Sequence, residues 1–226
     1  MSTRTRIKIC GLTREADVLE AVKAGADAIG LVFYERSPRH VSLARAVELA
    51  RLLPPFVTPV GLFVNADPAL IADVVAAVPN LLLQFHGDET PEACEAWHQA
   101  TRRPYLRAAR MTPGFALLDF ATAHANAAGI LLDAHVDGYG GGGKAFDWSL
   151  IPANVPRPVV LSGGLHPANV GDGITRVRPW AVDVSSGVES ANGPRGLKDA
   201  VLMRQFCDAV READALIARP LADAEH

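Results

Sequence analysis

Short β-branched and apolar runs alternate eight times along this 226-residue chain with Ala/Leu/Glu/Arg-rich stretches of helical period, and that alternation leaves few folds open. Strands are predicted near 6–10, 27–33, 57–63, 80–85, 104–109, 129–133, 158–162 and 180–184. Helical stretches are predicted near 14–24, 42–52, 68–77, 90–100, 113–126, 147–151, 167–174 and 197–215. Parallel strands joined by helical crossovers form either a closed barrel or an open, doubly wound sheet. Eight βα units close naturally, so the expectation is α/β, one domain over 1–226 forming a single (β/α)8 TIM barrel. Its core spans about 6–215, and the tail after Arg219 is expected to fray. No G-x-G-x-x-G follows the first strand, which counts against a dinucleotide-binding sheet.

Helix starts are written into the same pattern. Ser42 precedes an Ala/Glu/Leu run, and Asp67-Pro68 and Thr90-Pro91 each place a capping side chain before a proline at the first helical position. Hydrophobic residues at 49% and charged residues at 21% exclude a disordered or fibrous chain. The formal charge of −3 offers no footprint for nucleic acid or an anionic membrane, so neither partner is expected and any positive potential must be local to a site. Three cysteines, Cys10, Cys94 and Cys207, are too few and too odd for a disulfide framework. They read as reduced thiols of a cytoplasmic protein. No apolar run approaches the roughly 20 residues that span a bilayer, and no signal-peptide core precedes the first strand. A soluble, unexported chain is expected, with a monomer favoured over a homodimer.

Two late turns carry the first functional signal. Val182-Asp183-Val184-Ser185-Ser186-Gly187-Val188-Glu189 reads as a buried strand, a small-residue turn and a helix start, and Leu161-Ser162-Gly163-Gly164-Leu165 repeats the theme after Val159-Val160. Unpaired N–H groups at such turns point outward with partial positive charge, and small residues let a dianion approach. Either turn alone is an ordinary Ser/Gly turn. As a pair after strands seven and eight they match where barrels bind phosphate.

The other strand ends hold a short set of polar residues, on the side where barrel enzymes place their chemistry. These are Cys10-Gly11, then Arg36 and Arg39, Asn65, His86 with Asp88 and Glu89, Arg107 on strand five, and Asp133. Cys10 alone would be a small buried hydrophobe. Alternation, however, puts it on the same side as Lys8, and an ammonium there favours the thiolate. Asp133 either caps a turn or acts chemically ahead of the loop Ala134–Phe146, whose Gly140–Gly143 and Lys144 are a mobile-loop candidate. That run lacks Walker spacing. Arg39 is either a solvated loop charge or a planar partner for a carboxylate or phosphate. His86 has no ligand partner at metal spacing and reads better as a hydrogen-bonding histidine at the barrel mouth. Cys94 and Cys207 read as packing.

Lys8-Ile9-Cys10-Gly11-Leu12-Thr13, Gly25 to Tyr34, Ser37-Pro38-Arg39, Val60 to Asn65, His86-Gly87-Asp88-Glu89, Leu131-Leu132-Asp133, Gly143 to Trp148, Ser162 to Leu165 and Val182 to Glu189 occur in this order. Together they resemble the phosphoribosylanthranilate isomerase family from about residue 6 to 199. The resemblance implies an aldose–ketose isomerase of tryptophan biosynthesis. Such an enzyme converts N-(5-phosphoribosyl)anthranilate to 1-(2-carboxyphenylamino)-1-deoxyribulose 5-phosphate by an Amadori rearrangement, without cofactor or metal. It implies Cys10 as general base and Asp133 as general acid, with Arg39 facing the anthranilate carboxylate. His86 would contact substrate at the mouth, Gly163-Gly164 and Ser185-Ser186-Gly187 would grip the phosphate, and Asp183 would orient polar groups there. Against the family pattern, Gly142 and Ala145 replace hydroxyl residues, Arg107 replaces a common lysine and His166 a usual asparagine.

Two rivals remain. Lys8 pointing into a barrel would suit Schiff-base chemistry, which leaves Cys10 and Asp133 without roles. A noncatalytic phosphosugar-binding barrel would bind without turnover, since fold alone does not fix function.

Overall fold

The structure, a computed structural model, describes residues 4–134 and 146–218. The glycine run at 140–143 with Lys144, the substitutions at Gly142 and Ala145, and the tail after Arg219 lie outside the described residues. Eight parallel strands close in sequence order: β1 (Arg6–Cys10), β2 (Ala28–Val32), β3 (Thr58–Phe63), β4 (Leu82–Phe85), β5 (Tyr105–Met111), β6 (Gly129–Ala134), β7 (Val159–Leu161) and β8 (Ala181–Val184). The seam is the β1–β8 pairing, where Lys8 stands opposite Asp183. The expected TIM barrel is therefore the observed one.

Among the described residues seven helices cover its outside: α1 (Glu15–Ala24), α2 (Leu43–Ala50), α3 (Pro68–Ala77), α4 (Pro91–Thr101), α5 (Leu117–Ala123), α6 (Val170–Val177) and α7 (Ala200–Ala218). The caps form as the sequence indicated. Ser42 accepts from Arg45 N, Asp67 from Ala69 N and Thr90 from Ala93 N. Other boundaries move for local reasons. The helix expected over 113–126 contracts to α5, because Thr112–Phe115 closes a turn through Phe115 N to Thr112 O at 3.1 Å. Over 147–151 there is one 3-10 turn, Trp148–Leu150, capped by Asp147. Among the described residues no helix is long and apolar enough to cross a membrane.

Strand alternation sorts the side chains into two populations. Outward ones pack under the helices, and Phe33, just past β2, forms a ladder with Phe63, Phe85 and Tyr105 of β3, β4 and β5, with ring centroids 5.2, 6.4 and 5.8 Å apart. Phe63, Phe85 and Tyr105 are essentially fully buried, and each such burial is worth about 1.5–3 kcal/mol. Inward, Leu106, Ala108, Leu131, Val160 and Ala181 make a small apolar plug with Leu82 against it. Above the plug the buried interior turns polar, with Lys8, Gln84, Asp133, Ser162 and Asp183.

Arg107 belongs to the outward set. It was expected among the residues facing the site. Leu106 and Ala108 take the inward positions of β5, so the guanidinium instead donates to the carbonyls of Phe85, Gly87 and Glu89 at 3.0–3.1 Å and pins the β4–α4 loop. It also lies 5.5 Å from the Phe120 ring, which packs 4.7 Å from His124. Burial, helped by Arg107, pushes the His124 pKa down to about 4. Between about pH 4 and the reference value near 6.5 the unfolded chain binds a proton that the folded chain refuses, so stability falls as pH drops through that window. Thermal melts at pH 7 and pH 5 are expected to show a larger drop for the wild type than for His124→Gln. Equal drops would contradict this.

Candidate active site

At the C-terminal ends of the strands lies one cleft, and Cys10, Arg39, His86, Asp133, Gly163, Gly164, Asp183, Ser185 and Ser186 all line it. Cys10 ends β1 with a free, buried thiol. Opposite it in the register is Gly30 of β2. A Cβ at position 30 would sit 2.5 Å from the Cys10 sulfur, so the thiol occupies space that only glycine leaves. Lys8, one inward position below Cys10, donates from Nζ to Asp183 Oδ1 at 2.9 Å, with both groups buried.

The balance of charges around the thiol differs from the sequence expectation. Burial pushes the Cys10 pKa up, the Lys8 ammonium pulls it down, and the Asp183 carboxylate pushes it up again; the net direction is upward. Lys8 stands where alternation put it, yet its pull toward thiolate is outweighed. For Lys8 itself, burial disfavours the cation, but Asp183 and Cys10 outweigh burial and raise its pKa. A lysine held as ammonium is a poor Schiff-base nucleophile, which removes the ground for that rival.

Asp133, the inward residue near the end of β6, is fixed at both carboxylate oxygens. Oδ1 accepts from Ala134 N at 3.0 Å, and Oδ2 lies 3.0 Å from His86 Nε2. The other ring nitrogen of His86 faces the Gln84 amide at 3.0 Å. With that amide donating, Nδ1 is the acceptor and Nε2 carries the hydrogen donated to Asp133. Gln84 drew no attention in the sequence, although it sits two residues before His86 on the same inward face of β4. His86 thus has a carboxylate partner, and among the described residues no group of three or more His, Cys, Asp or Glu is arranged to hold a metal.

Arg39 is buried rather than solvated, and its Nη2 is an enclosed donor with no hydrogen-bond partner among the described residues. The side chain lies across Gly11, whose φ of +79° and lack of Cβ accommodate it. Its Nε donates to Glu189 Oε1 at 2.6 Å, and the same oxygen accepts from Lys198 Nζ at 3.1 Å. Burial pushes the Glu189 carboxyl up, but Arg39 and Lys198 outweigh this and hold it below the usual carboxylate range. Sequence reasoning gave no role to Glu189 or Lys198.

The two small-residue turns pack on each other. Gly187 lies directly against the Leu165 carbonyl, leaving no room for a Cβ. Gly163 and Gly164 both have positive φ, +78° and +69°, and Asn169 Nδ2 ties down the Gly164 carbonyl at 3.0 Å. Ser185 Oγ donates to the Cys10 carbonyl at 3.1 Å, so the last turn is fastened to the first strand end. The expected helix start after Ser185 is a 3-10 turn, Ser186–Val188, and α7 begins only at Ala200. The N–H groups opening that short turn still lack partners within it. Cys94 and Cys207 are buried in α4 and α7, where burial pushes their thiols up to about 12 and about 11.

Comparison with known proteins agrees with this geometry. Residues 7–209 match the family model of N-(5'phosphoribosyl)anthranilate (PRA) isomerase. The chain is 74% identical to N-(5'-phosphoribosyl)anthranilate isomerase of Leptothrix cholodnii over 212 residues, 94% of this chain and 93% of the relative. It superposes with a TM-score of 0.78 at 37% identity on a monomer generated from the dimeric enzyme of Thermotoga maritima, covering 92% of this chain and 98% of that one. A further isomerase, solved in complex with reduced 1-(o-carboxyphenylamino)-1-deoxyribulose 5-phosphate, matches at TM-score 0.78 and 38% identity over 92% and 99% of the two chains. This chain belongs to the phosphoribosylanthranilate isomerase family.

Proposed function

We propose that this chain isomerises N-(5'-phosphoribosyl)anthranilate to 1-(2-carboxyphenylamino)-1-deoxyribulose 5-phosphate in tryptophan biosynthesis, using Cys10 as general base and Asp133 as general acid. The observation that carries the reading is the convergence of a thiol and a histidine-held carboxylate in one cleft, between a buried arginine and two interlocked small-residue turns. The substrate has the matching layout, with a carboxylate at one end, a phosphate at the other and the reacting sugar between. The related isomerase that binds the reduced product supports a ligand of this class.

In the reactive form the proton sits on Asp133 and Cys10 is the thiolate; Asp133 gives that proton to the furanose ring oxygen, the C1–O bond breaks, and the nitrogen lone pair completes a Schiff base. The Cys10 thiolate then removes the C2 proton, and the C–H electron pair moves to give an enolamine that tautomerises to the aminoketose. His86 Nε2–H stabilises the carboxylate that Asp133 becomes. Arg39 meets the anthranilate carboxylate, and the turns at Gly163-Gly164 and Ser185-Ser186-Gly187 meet the phosphate with backbone N–H groups. Asp183 acts through Lys8. We place the enzyme in the cytoplasm, in keeping with three free thiols among the described residues. For assembly, the sequence favoured a monomer. A homodimer is the second reading, favoured by the fully exposed Phe56 at φ +73° and by the dimeric Thermotoga relative. Sedimentation equilibrium separates the two.

Cys10→Ala and Asp133→Asn are each expected to lower turnover about 10²- to 10⁴-fold while retaining affinity for the reduced product. Fluorescence decay of freshly made substrate measures the first and calorimetry the second. Binding without turnover in the wild type would favour the phosphosugar-binding barrel. Because the base acts as thiolate and its pKa is raised, kcat/KM is expected to climb with pH along a limb centred above the ordinary thiol value of about 8.5. A limb centred at or below neutrality would contradict the assignment. Gly30→Ala, which forces the Cys10 sulfur aside, is expected to cost about 10- to 100-fold in kcat in a folded protein.

A further inference from the structure

Arg39 enters the site already paired. Its bond to Glu189 makes a neutral couple, and a neutral couple attracts an anionic ligand weakly. Lys8, a buried cation one inward position below Cys10, is likewise matched by Asp183. The surplus positive charge of this set sits on Lys198, whose side chain is fully buried and outside the cleft lining. Its ammonium donates to Glu189 Oε1 at 3.1 Å and to the Ser185 carbonyl at 2.9 Å, with Ser185 Oγ at 3.4 Å. Backbone geometry enforces the arrangement. Glu189 and Lys198 face each other across an isolated antiparallel bridge, closed by Ser190 N to Leu197 O at 2.9 Å.

We propose that Lys198 is a positioning and specificity-determining residue for the carboxylate end of the substrate: it returns the Arg39–Glu189 couple to a net positive charge. The inference rests on the reading of Arg39 as the carboxylate's partner. Glu189 holds the guanidinium in place through Nε, leaving Nη2, unpartnered among the described residues, for a ligand, and Lys198 offsets the charge that this brace brings. Burial keeps the offset unscreened by salt; it also pushes the Lys198 pKa below its ordinary value, and the Glu189 carboxylate works against that push. The same ammonium braces Ser185, whose hydroxyl reaches the Cys10 carbonyl, so one side chain joins the carboxylate wall, the phosphate turn and the base.

The test compares two ligands by calorimetry: the reduced product and its analogue lacking the aromatic carboxylate. Lys198→Met is expected to weaken the carboxylate ligand about ten- to a hundredfold and the analogue less than about threefold, with KM raised more than kcat is lowered. Removing the brace's charge as well, in Glu189→Gln/Lys198→Met, is expected to recover most of the lost affinity; loss of a merely structural lysine would be compounded. If Lys198→Met does not fold, Lys198→Gln carries the same comparison. Equal weakening of both ligands, or a double variant no better than the single one, overturns the proposal. Arg39→Met is the control: if it does not discriminate between the ligands, the reading of Arg39 fails and takes the proposal with it.

Discussion

The buried ion pair between Lys8 and Asp183 is the contact on which the rest of the molecule depends. It spans the seam between β1 and β8, where a sheet of eight strands becomes a barrel. Two charges withdrawn from water cost several kcal/mol each in solvation, and attraction at 2.9 Å offsets this only while both partners are present. Losing one would cost about 3–5 kcal/mol. An apolar pair of equal volume would close the seam more cheaply. The ion pair adds something an apolar pair lacks, an ammonium whose charge pulls the Cys10 pKa down and a carboxylate that keeps that ammonium charged.

Around this pair the polar interior divides its labour. On one side Gln84, His86 and Asp133 form a line of hydrogen bonds that fixes a carboxylate by both oxygens. On the other, Arg39, Glu189 and Lys198 share a single carboxylate oxygen between two cations. The two interlocked turns close the third side. The chain as a whole carries a formal charge of −3, so the attraction for a substrate with an anionic group at each end is built locally, where low dielectric makes each charge count. The outer aromatic ladder and the apolar plug supply the stability against which this costly interior is held.

What was legible in the sequence was whatever rests on short-range chemistry. Asp67-Pro68 and Thr90-Pro91 mark the helix starts because cap and proline act within one turn. The eight strands emerge because alternation and length are local properties. Lys8 beside Cys10 follows from period two, and the same rule applied to β5 would have turned Arg107 outward. Illegible were the contacts made by closure. Glu189 meets Lys198 only because the chain folds back between them, and α7 starts late because Leu197 and Lys198 are used in that bridge. The sign of the Cys10 shift was missed for a related reason: burial is a property of the whole barrel, and it outweighs the one neighbour that alternation reveals.

The reaction proposed for this site turns on one event, removal of the C2 proton by the Cys10 thiolate. It is tested most directly by a single turnover of substrate carrying deuterium at ribose C2, with mass analysis of the aminoketose. The expected result is slower decay than for the protiated substrate in the wild type, and no turnover above background in Cys10→Ala over the same time, whether the label ends at C1 or in water. Equal decay of the labelled and protiated substrates, or turnover by Cys10→Ala as fast as by the wild type, would contradict it.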